Sequence, residues 1–215
     1  MKLFYLIMAT VLHTHCFAQK ESRKKVQDSL TKSSQQITID FLHISPQDAI
    51  ADIGTGHGAG LVPIANEYPL IHFTLEDHDS NFCNKTMLQK EIVRTGNRTS
   101  IDNFSFQYGD DAGTHLPAAG FSKVLAFDLI HELSNKPAML ADIKRILQSD
   151  GSFFIREILV HKKIKKDRNC NFPYLTEEDF KKIIAENRYL IRKEQTCFDD
   201  GHNRYIKLFE CIPFY

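Results

Sequence analysis

The stretch that most constrains this chain is Ala51 to Gly60, Ala-Asp-Ile-Gly-Thr-Gly-His-Gly-Ala-Gly. The apolar lead-in, Ala49 to Ile53, reads as a short buried strand, and Leu61 to Tyr68 reads as a helix. Pro63 falls in the first turn of that helix, where proline is tolerated. Between strand and helix the backbone has to turn sharply. Gly54, Gly56 and Gly58 permit this, because glycine takes positive φ freely and lets the backbone come close to a ligand. A turn that opens a helix also leaves unpaired N–H groups beside whatever binds there. Asp52 stands at the end of the strand, inside the crevice where open α/β sheets bind ligands.

The pattern continues as strand and helix in alternation. Ile71 to Leu75 reads as a second strand and ends at Glu76-Asp77. That is about twenty residues past the glycines, where an acid can accept hydrogen bonds from ribose hydroxyls. Ser80 to Thr95 reads as a helix with Phe82, Met87, Ile92 and Val93 on its buried side, ended by Gly96-Asn97. Phe104 to Tyr108 is a third strand, followed by Gly109-Asp110-Asp111-Ala112. Phe121 to Asp128 is the fourth, followed by Leu129-Ile130-His131-Glu132-Leu133. Asn135 to Leu147 carries Met139, Leu140, Ile143 and Ile146 at helical spacing. Ser149-Asp150-Gly151 predicts a turn before a fifth strand, Ser152 to Val160. Thr176-Glu177-Glu178-Asp179 has a capping-box pattern opening a helix. Leu190 to Phe198 and Tyr205 to Ile212 are two strands joined by Asp199-Asp200-Gly201-His202, a hairpin signal. Five strands alternating with helices, then a hairpin, make an α/β chain.

The run Asp52-x-Gly54-x-Gly56-x-Gly58 resembles motif I of the class I S-adenosylmethionine-dependent methyltransferases. A nicotinamide-binding turn usually reads Gly-x-Gly-x-x-Gly without an acid two residues ahead of its first glycine, so the spacing here disfavours it. The resemblance runs from about Ile37 to Ile212, with a second strong match from Val124 to Ile158. It implies a Rossmann-like doubly wound sheet, mostly parallel, closed by a C-terminal antiparallel hairpin strand at the edge. It implies S-adenosylmethionine as cofactor, held by Asp52, Gly54, Thr55, Gly56 and Gly58, with Glu76 as first choice and Asp77 as second for the ribose hydroxyls. Asp110 matches the acid that contacts the adenine amino group, and the Asp111 backbone adjoins it. Asp128 lies at the carboxyl end of the fourth strand, where methyl group and acceptor meet. His131 is a candidate general base, oriented by Glu132 or Asp128. Ser122 stands where the family often has an acid, away from the site. The implied reaction is methyl transfer to a small molecule by in-line displacement, which mainly requires donor and acceptor to be held in line. A non-catalytic cofactor-binding protein of the same fold and a nucleotide-dependent oxidoreductase are the alternatives.

Lys plus Arg and Asp plus Glu number 27 each, so no charge excess favours nucleic acid or an anionic membrane. Cys16, Cys83, Cys170, Cys197 and Cys211 show no Cys-x-x-Cys spacing and no Cys/His cluster, so buried thiols are expected and no metal site. Lys2, the apolar run Leu3 to Leu12 and Cys16-Phe17-Ala18 read as a secretory signal peptide cut after Ala18. The apolar run is too short to leave a stable membrane span. The expected organisation is a signal peptide over 1–18, a linker or solvated helix over 19–36, and a methyltransferase-like domain over 37–215. Export to a periplasmic or extracellular compartment follows from that; the alternative is a cytoplasmic chain whose N-terminal segment packs on the domain. The basic run His161 to Arg168 reads as a solvated loop or as part of a substrate entrance. Nothing in the sequence sets an oligomeric state.

Overall fold

The computed structural model describes residues 33–163 and 172–214. The signal peptide, most of the linker, and the basic run beyond Lys163 lie outside the described residues. Within them a helix (α1, 33–42) precedes β1 (Ile50–Ile53), α2 (Val62–Glu67), β2 (Phe73–Asp77), α3 (Lys85–Thr95) and β3 (Phe104–Tyr108). Then come β4 (Phe121–Phe127), α4 (Lys136–Ile146), β5 (Leu147–Val160), α5 (Glu177–Glu186), β6 (Tyr189–Asp199) and β7 (Arg204–Pro213). The seven strands form one sheet in the order β3-β2-β1-β4-β5-β7-β6. The first five are mutually parallel, and β7 runs antiparallel to both of its neighbours. The strand order reverses between β1 and β4, which opens a crevice at their carboxyl ends.

Side-chain alternation along the strands divides the core into two layers. Ala51, Val124, Ala126, Phe153, Ile155 and Phe209 face α4 and α5. Ile50, Leu125, Phe154 and Leu208, one residue out of phase with them, face α1, α2 and α3. Both faces of the sheet are therefore buried, and the central strands read as nearly continuous apolar runs. Helix α1 joins this second layer through Ile39, Phe41 and Leu42, so the helix crosses the boundary set at residue 36 from sequence.

Three local expectations are corrected. Helix α3 starts at Lys85, not Ser80, because the Asn84 side chain accepts the Met87 N–H at 3.0 Å and caps it. That phase turns Leu88, Glu91 and Ile92 inward and leaves Phe82 and Val93 51% and 71% exposed, with Met87 half-buried. Glu91 is accommodated by a two-point bond from Arg94, at 2.8 and 2.6 Å. The turn expected at Ser149 to Gly151 is an irregularity inside β5, where pairing jumps from Phe121–Leu147 to Lys123–Ser152. The hairpin forms, but its antiparallel member β7 is second from the edge and β6 is outermost. The crossover through α5 carries the chain one strand position past β5, and β7 returns to fill the gap. The capping box at Thr176 is present, with Thr176 Oγ1 accepting from Asp179 N at 3.2 Å.

Candidate active site

The glycine turn after β1 has the backbone that its sequence demands. Gly54, Gly56 and Gly58 have φ of +66°, +55° and +84°, a region that costs other residues strain. A Cβ on Gly54 would lie 2.5 Å from Leu129, and one on Gly58 would lie 2.5 Å from Leu88, so these two glycines pack against protein. A Cβ on Gly56 would meet nothing among the described residues within 4 Å. Gly56 is thus the point where the turn borders open space. Thr55 N donates to the Glu76 carbonyl at 3.0 Å, and Thr55 Oγ1 donates to Asp52 Oδ2 at 2.6 Å. Asp77 accepts from Gly56 N at 2.8 Å and from Asp79 N at 2.9 Å. Thr55, Asp52 and Asp77 therefore fasten the turn to β1 and β2. Asp77, the second choice for the ribose, is committed to the loop itself.

A cleft of about 270 Å³ opens beside the turn, lined among others by Gly54, Glu76, Asp110, Asp111, Leu129 and Glu132. Glu76 is buried where it lines the cleft, and Asp52 is buried in the adjoining β1. Burial pushes the Asp52 carboxyl up to about 7, against the opposing effects of the Thr55 bond and the Arg156 charge. Burial also pushes Glu76 up to about 8, helped by the neighbouring Asp77, Asp142 and Asp52 carboxylates. Asp52 Oδ1 is buried and has no hydrogen-bond partner among the described residues. Such a set favours a ligand that brings hydroxyl donors or positive charge, because either one relieves the cost of ionising the acids. Asp110 is exposed and closes its own turn, its Oδ1 accepting from Ala112 N at 2.7 Å and Gly113 N at 3.1 Å. Those bonds hold its carboxyl below the usual range. Asp111 is exposed on the same rim.

The end of β4 is built around two charged pairs that bridge to β5. Asp128 takes φ +58°. Its N–H donates to the Arg156 carbonyl at 2.7 Å, and Arg156 Nη2 donates to Asp128 Oδ2 at 2.5 Å. The guanidinium sits 4.7 Å from the centre of the Phe127 ring. His131 is buried, with Nδ1 2.5 Å from Glu157 Oε1. Glu157 Oε2 accepts the Ile130 N–H at 3.0 Å. Burial presses the His131 pKa down, but the Glu157 carboxylate outweighs it and the net shift is upward. Burial raises that of Glu157. The carboxylate that orients His131 is thus Glu157, not Asp128, which is bound to Arg156; Glu132 lies 3.7 Å from Nε2. His131 does not line the cleft itself; its neighbour Glu132 does.

Arg156 and Glu157 escaped the sequence reading because their partners lie 28 and 26 residues away. The available signal was an Arg-Glu pair inside the otherwise apolar run from Phe153 to Val160. Cys83, Cys197 and Cys211 are buried free thiols. Among the described residues no group of His, Cys, Asp and Glu is arranged to hold a metal ion, and no helix is long and apolar enough to cross a membrane.

No family model matches the chain. An O-methyltransferase of Pyrenophora dematioidea is 24% identical over 156 residues, which cover 72% of this chain and 55% of that protein. The chain thus spans about half the length of this curated relative. Solved structures share the fold. A SAM-dependent methyltransferase from Aquifex aeolicus superposes with a TM-score of 0.63 at 15% identity, covering 83% of this chain and 89% of that one. One from Geobacter sulfurreducens, in complex with S-adenosylhomocysteine, gives 0.62 at 12% identity over 84% and 90%. The O-methyltransferase of a Brevibacillus brevis multienzyme, also with S-adenosylhomocysteine, gives 0.60 at 14% over 83% and 71%.

Proposed function

We propose that this chain, which has the fold of the class I S-adenosylmethionine-dependent methyltransferases, transfers a methyl group from that cofactor to a small-molecule acceptor. The observation that carries the proposal is the cleft beside the glycine turn, lined by Gly54 at positive φ and by Glu76, a buried acid. Gly56, two residues further along the turn, borders open space that a side chain would occupy. Glu76 is the acid of β2 left for the ribose hydroxyls once Asp77 is committed to Gly56. Asp110 and Asp111 border the adenine end, and Asp52 with Thr55 fixes the turn. When bound, S-adenosylmethionine supplies an electrophilic methyl group on a sulfonium, which a nucleophile displaces in line.

The chain's own contribution is to hold both reactants and to move one proton. The Glu157 bond fixes the His131 ring and directs Nε2 toward Glu132, on the cleft wall. His131 receives the acceptor proton at Nε2 by way of Glu132, whose carboxylate lines the cleft, and Glu157 stabilises the imidazolium that results. The test is a calorimetric titration with S-adenosylmethionine and S-adenosylhomocysteine, followed by an acceptor screen read by mass spectrometry. Binding of neither compound would overturn the proposal. Binding without turnover on any acceptor would favour the non-catalytic alternative.

We also propose that residues 1–18 are removed on export, on the strength of Lys2, the apolar run and the Cys16-Phe17-Ala18 site. N-terminal sequencing of protein from its native host checks this. Gln19 as first residue is the expected result, and Met1 in a cytosolic fraction would refute it.

A further inference from the structure

A second cleft, of about 240 Å³, lies on the α1 face of the sheet. It is lined by Thr38 and Ile39 of α1, by Gly60 and Pro63 at the start of α2, and by Phe198 of β6 and Ile206 of β7. It borders the same glycine turn as the first cleft: Gly54 lines one and Gly60 the other. The Asp128–Arg156 pair stands between them, with the neighbouring Leu129 lining the first cleft and Arg156 lining the second.

The two clefts differ in charge. Glu76, Asp77, Asp110, Asp111 and Glu132 all line the first. In the second, Arg156 is the single charged residue among the described lining residues, set among apolar Ile39, Pro63, Phe198 and Ile206. Asp128 takes one N–H donor of the guanidinium through Nη2; Nε has no hydrogen-bond partner among the described residues and is itself buried, while the side chain as a whole is 23% exposed. A guanidinium presents five donors, in a fork that matches a carboxylate. The cleft also extends away from the cofactor side. Phe198 is on β6, four strand positions from β1, or about 19 Å at the usual inter-strand spacing. Its volume is small for a ligand pocket and suits about one ring or a short chain.

We propose that this second cleft binds the methyl acceptor, and that the acceptor is a small apolar molecule carrying a carboxylate, held by Arg156. Naming the ligand as acceptor rests on the methyltransferase reading; the cleft's preference for an apolar anion does not. Arg156 acts here as a specificity-determining residue.

The test uses the full chain saturated with S-adenosylhomocysteine. Benzoate, 4-hydroxybenzoate and hexanoate are titrated against the neutral benzamide, methyl 4-hydroxybenzoate and hexanamide, followed by ligand-observed NMR. At least one acid should bind, about tenfold or more tighter than its neutral counterpart. Arg156→Met should abolish that preference, and Arg156→Lys should keep part of it. Ile206→Trp, which fills the cleft, should block the acid and leave S-adenosylhomocysteine affinity unchanged. Binding of no acid, or equal binding of acid and neutral partner by the unmodified protein, would overturn the proposal whether or not the variants fold. One further result would overturn it: Arg156→Met weakening S-adenosylhomocysteine while leaving 5′-methylthioadenosine unaffected would assign the guanidinium to the cofactor's own amino-acid tail. Failure of S-adenosylhomocysteine to bind the unmodified chain would instead strike the functional reading, and the acid titration on the unliganded protein would still decide the cleft.

Discussion

Cofactor affinity should rise steeply with pH, and Glu76 should be the cause. Its carboxyl, pushed up to about 8 by burial, is largely protonated at neutral pH in the unliganded protein. Ribose hydroxyls donate best to the ionised form, so binding must remove the proton. If the ionised form alone binds, about 3% of the protein is competent at pH 6.5 and about 90% at pH 9, a change in affinity of about 30-fold or 2 kcal/mol. The unliganded fold should move the other way. Glu76 and Asp52 both have folded-state pKa values above their free values, so the folded protein keeps these protons longer than the unfolded chain does. Their contribution to stability is full below about pH 4 and is lost as pH climbs toward 7 and 8. Calorimetric titration of S-adenosylhomocysteine at several pH values, in buffers of different ionisation enthalpy, measures both affinity and released protons. Glu76→Gln should remove the rise between pH 7.5 and 9. At pH 9 that variant should bind about 1.5–3 kcal/mol more weakly, the range for hydrogen bonds to a charged group. A pH-independent affinity in the unmodified protein, or the same slope in Glu76→Gln, would refute the argument.

Gly56→Ala should cost about 1–2 kcal/mol of backbone strain at φ +55° and place a methyl group in the open space beside the turn. A small fall in melting temperature with loss of S-adenosylhomocysteine binding is expected. In Glu157→Gln the charge that raises the His131 pKa is gone while an oxygen remains for Ile130 N. His131 should then titrate lower by NMR; since it acts as a base when neutral, the acid limb of the turnover profile should move to lower pH. Phe209→Ala removes a fully buried ring stacked on Phe180 at 4.4 Å. It should destabilise the chain by about 3–5 kcal/mol in denaturant titration. Thr176→Ala should cost about 1 kcal/mol through the lost cap of α5.

The parts of the site that were legible in sequence are those set by local chemistry. Three alternate glycines after a buried strand admit few backbone paths, and all three take positive φ. The acidic end of β2, Glu76-Asp77, was legible because the length of one βαβ unit fixes where the second strand ends. Asp77 was not separable from Glu76 by position, since both stand at the end of β2 and both line the cleft. Only the bond to Gly56 N shows which is the fastener. The phase of α3 was misjudged because Glu91 counted as polar, and a charged residue can face inward when Arg94 neutralises it. The order of β6 and β7 depends on a crossover that periodicity does not record.

The charged pair in β5 shows how one strand serves two purposes. Arg156 and Glu157 are adjacent, so they leave the sheet on opposite faces. Arg156 pairs with Leu208, whose side chain belongs to the α1 layer, and Ile155 pairs with Phe209, which belongs to the α4 layer. The register therefore sends the guanidinium to the α1-side cleft and the carboxylate to His131. Both then return to the same short segment after β4, Arg156 through Asp128 and Glu157 through Ile130 and His131. A slip of one residue in β5 would exchange the two faces, placing a carboxylate in the acceptor cleft and a guanidinium against the histidine. The long antiparallel pairing with β7, eight residue pairs from Phe153–Cys211 to Val160–Arg204, is what holds that register. The hairpin that looks peripheral in sequence thus sets which charge reaches which side of the site.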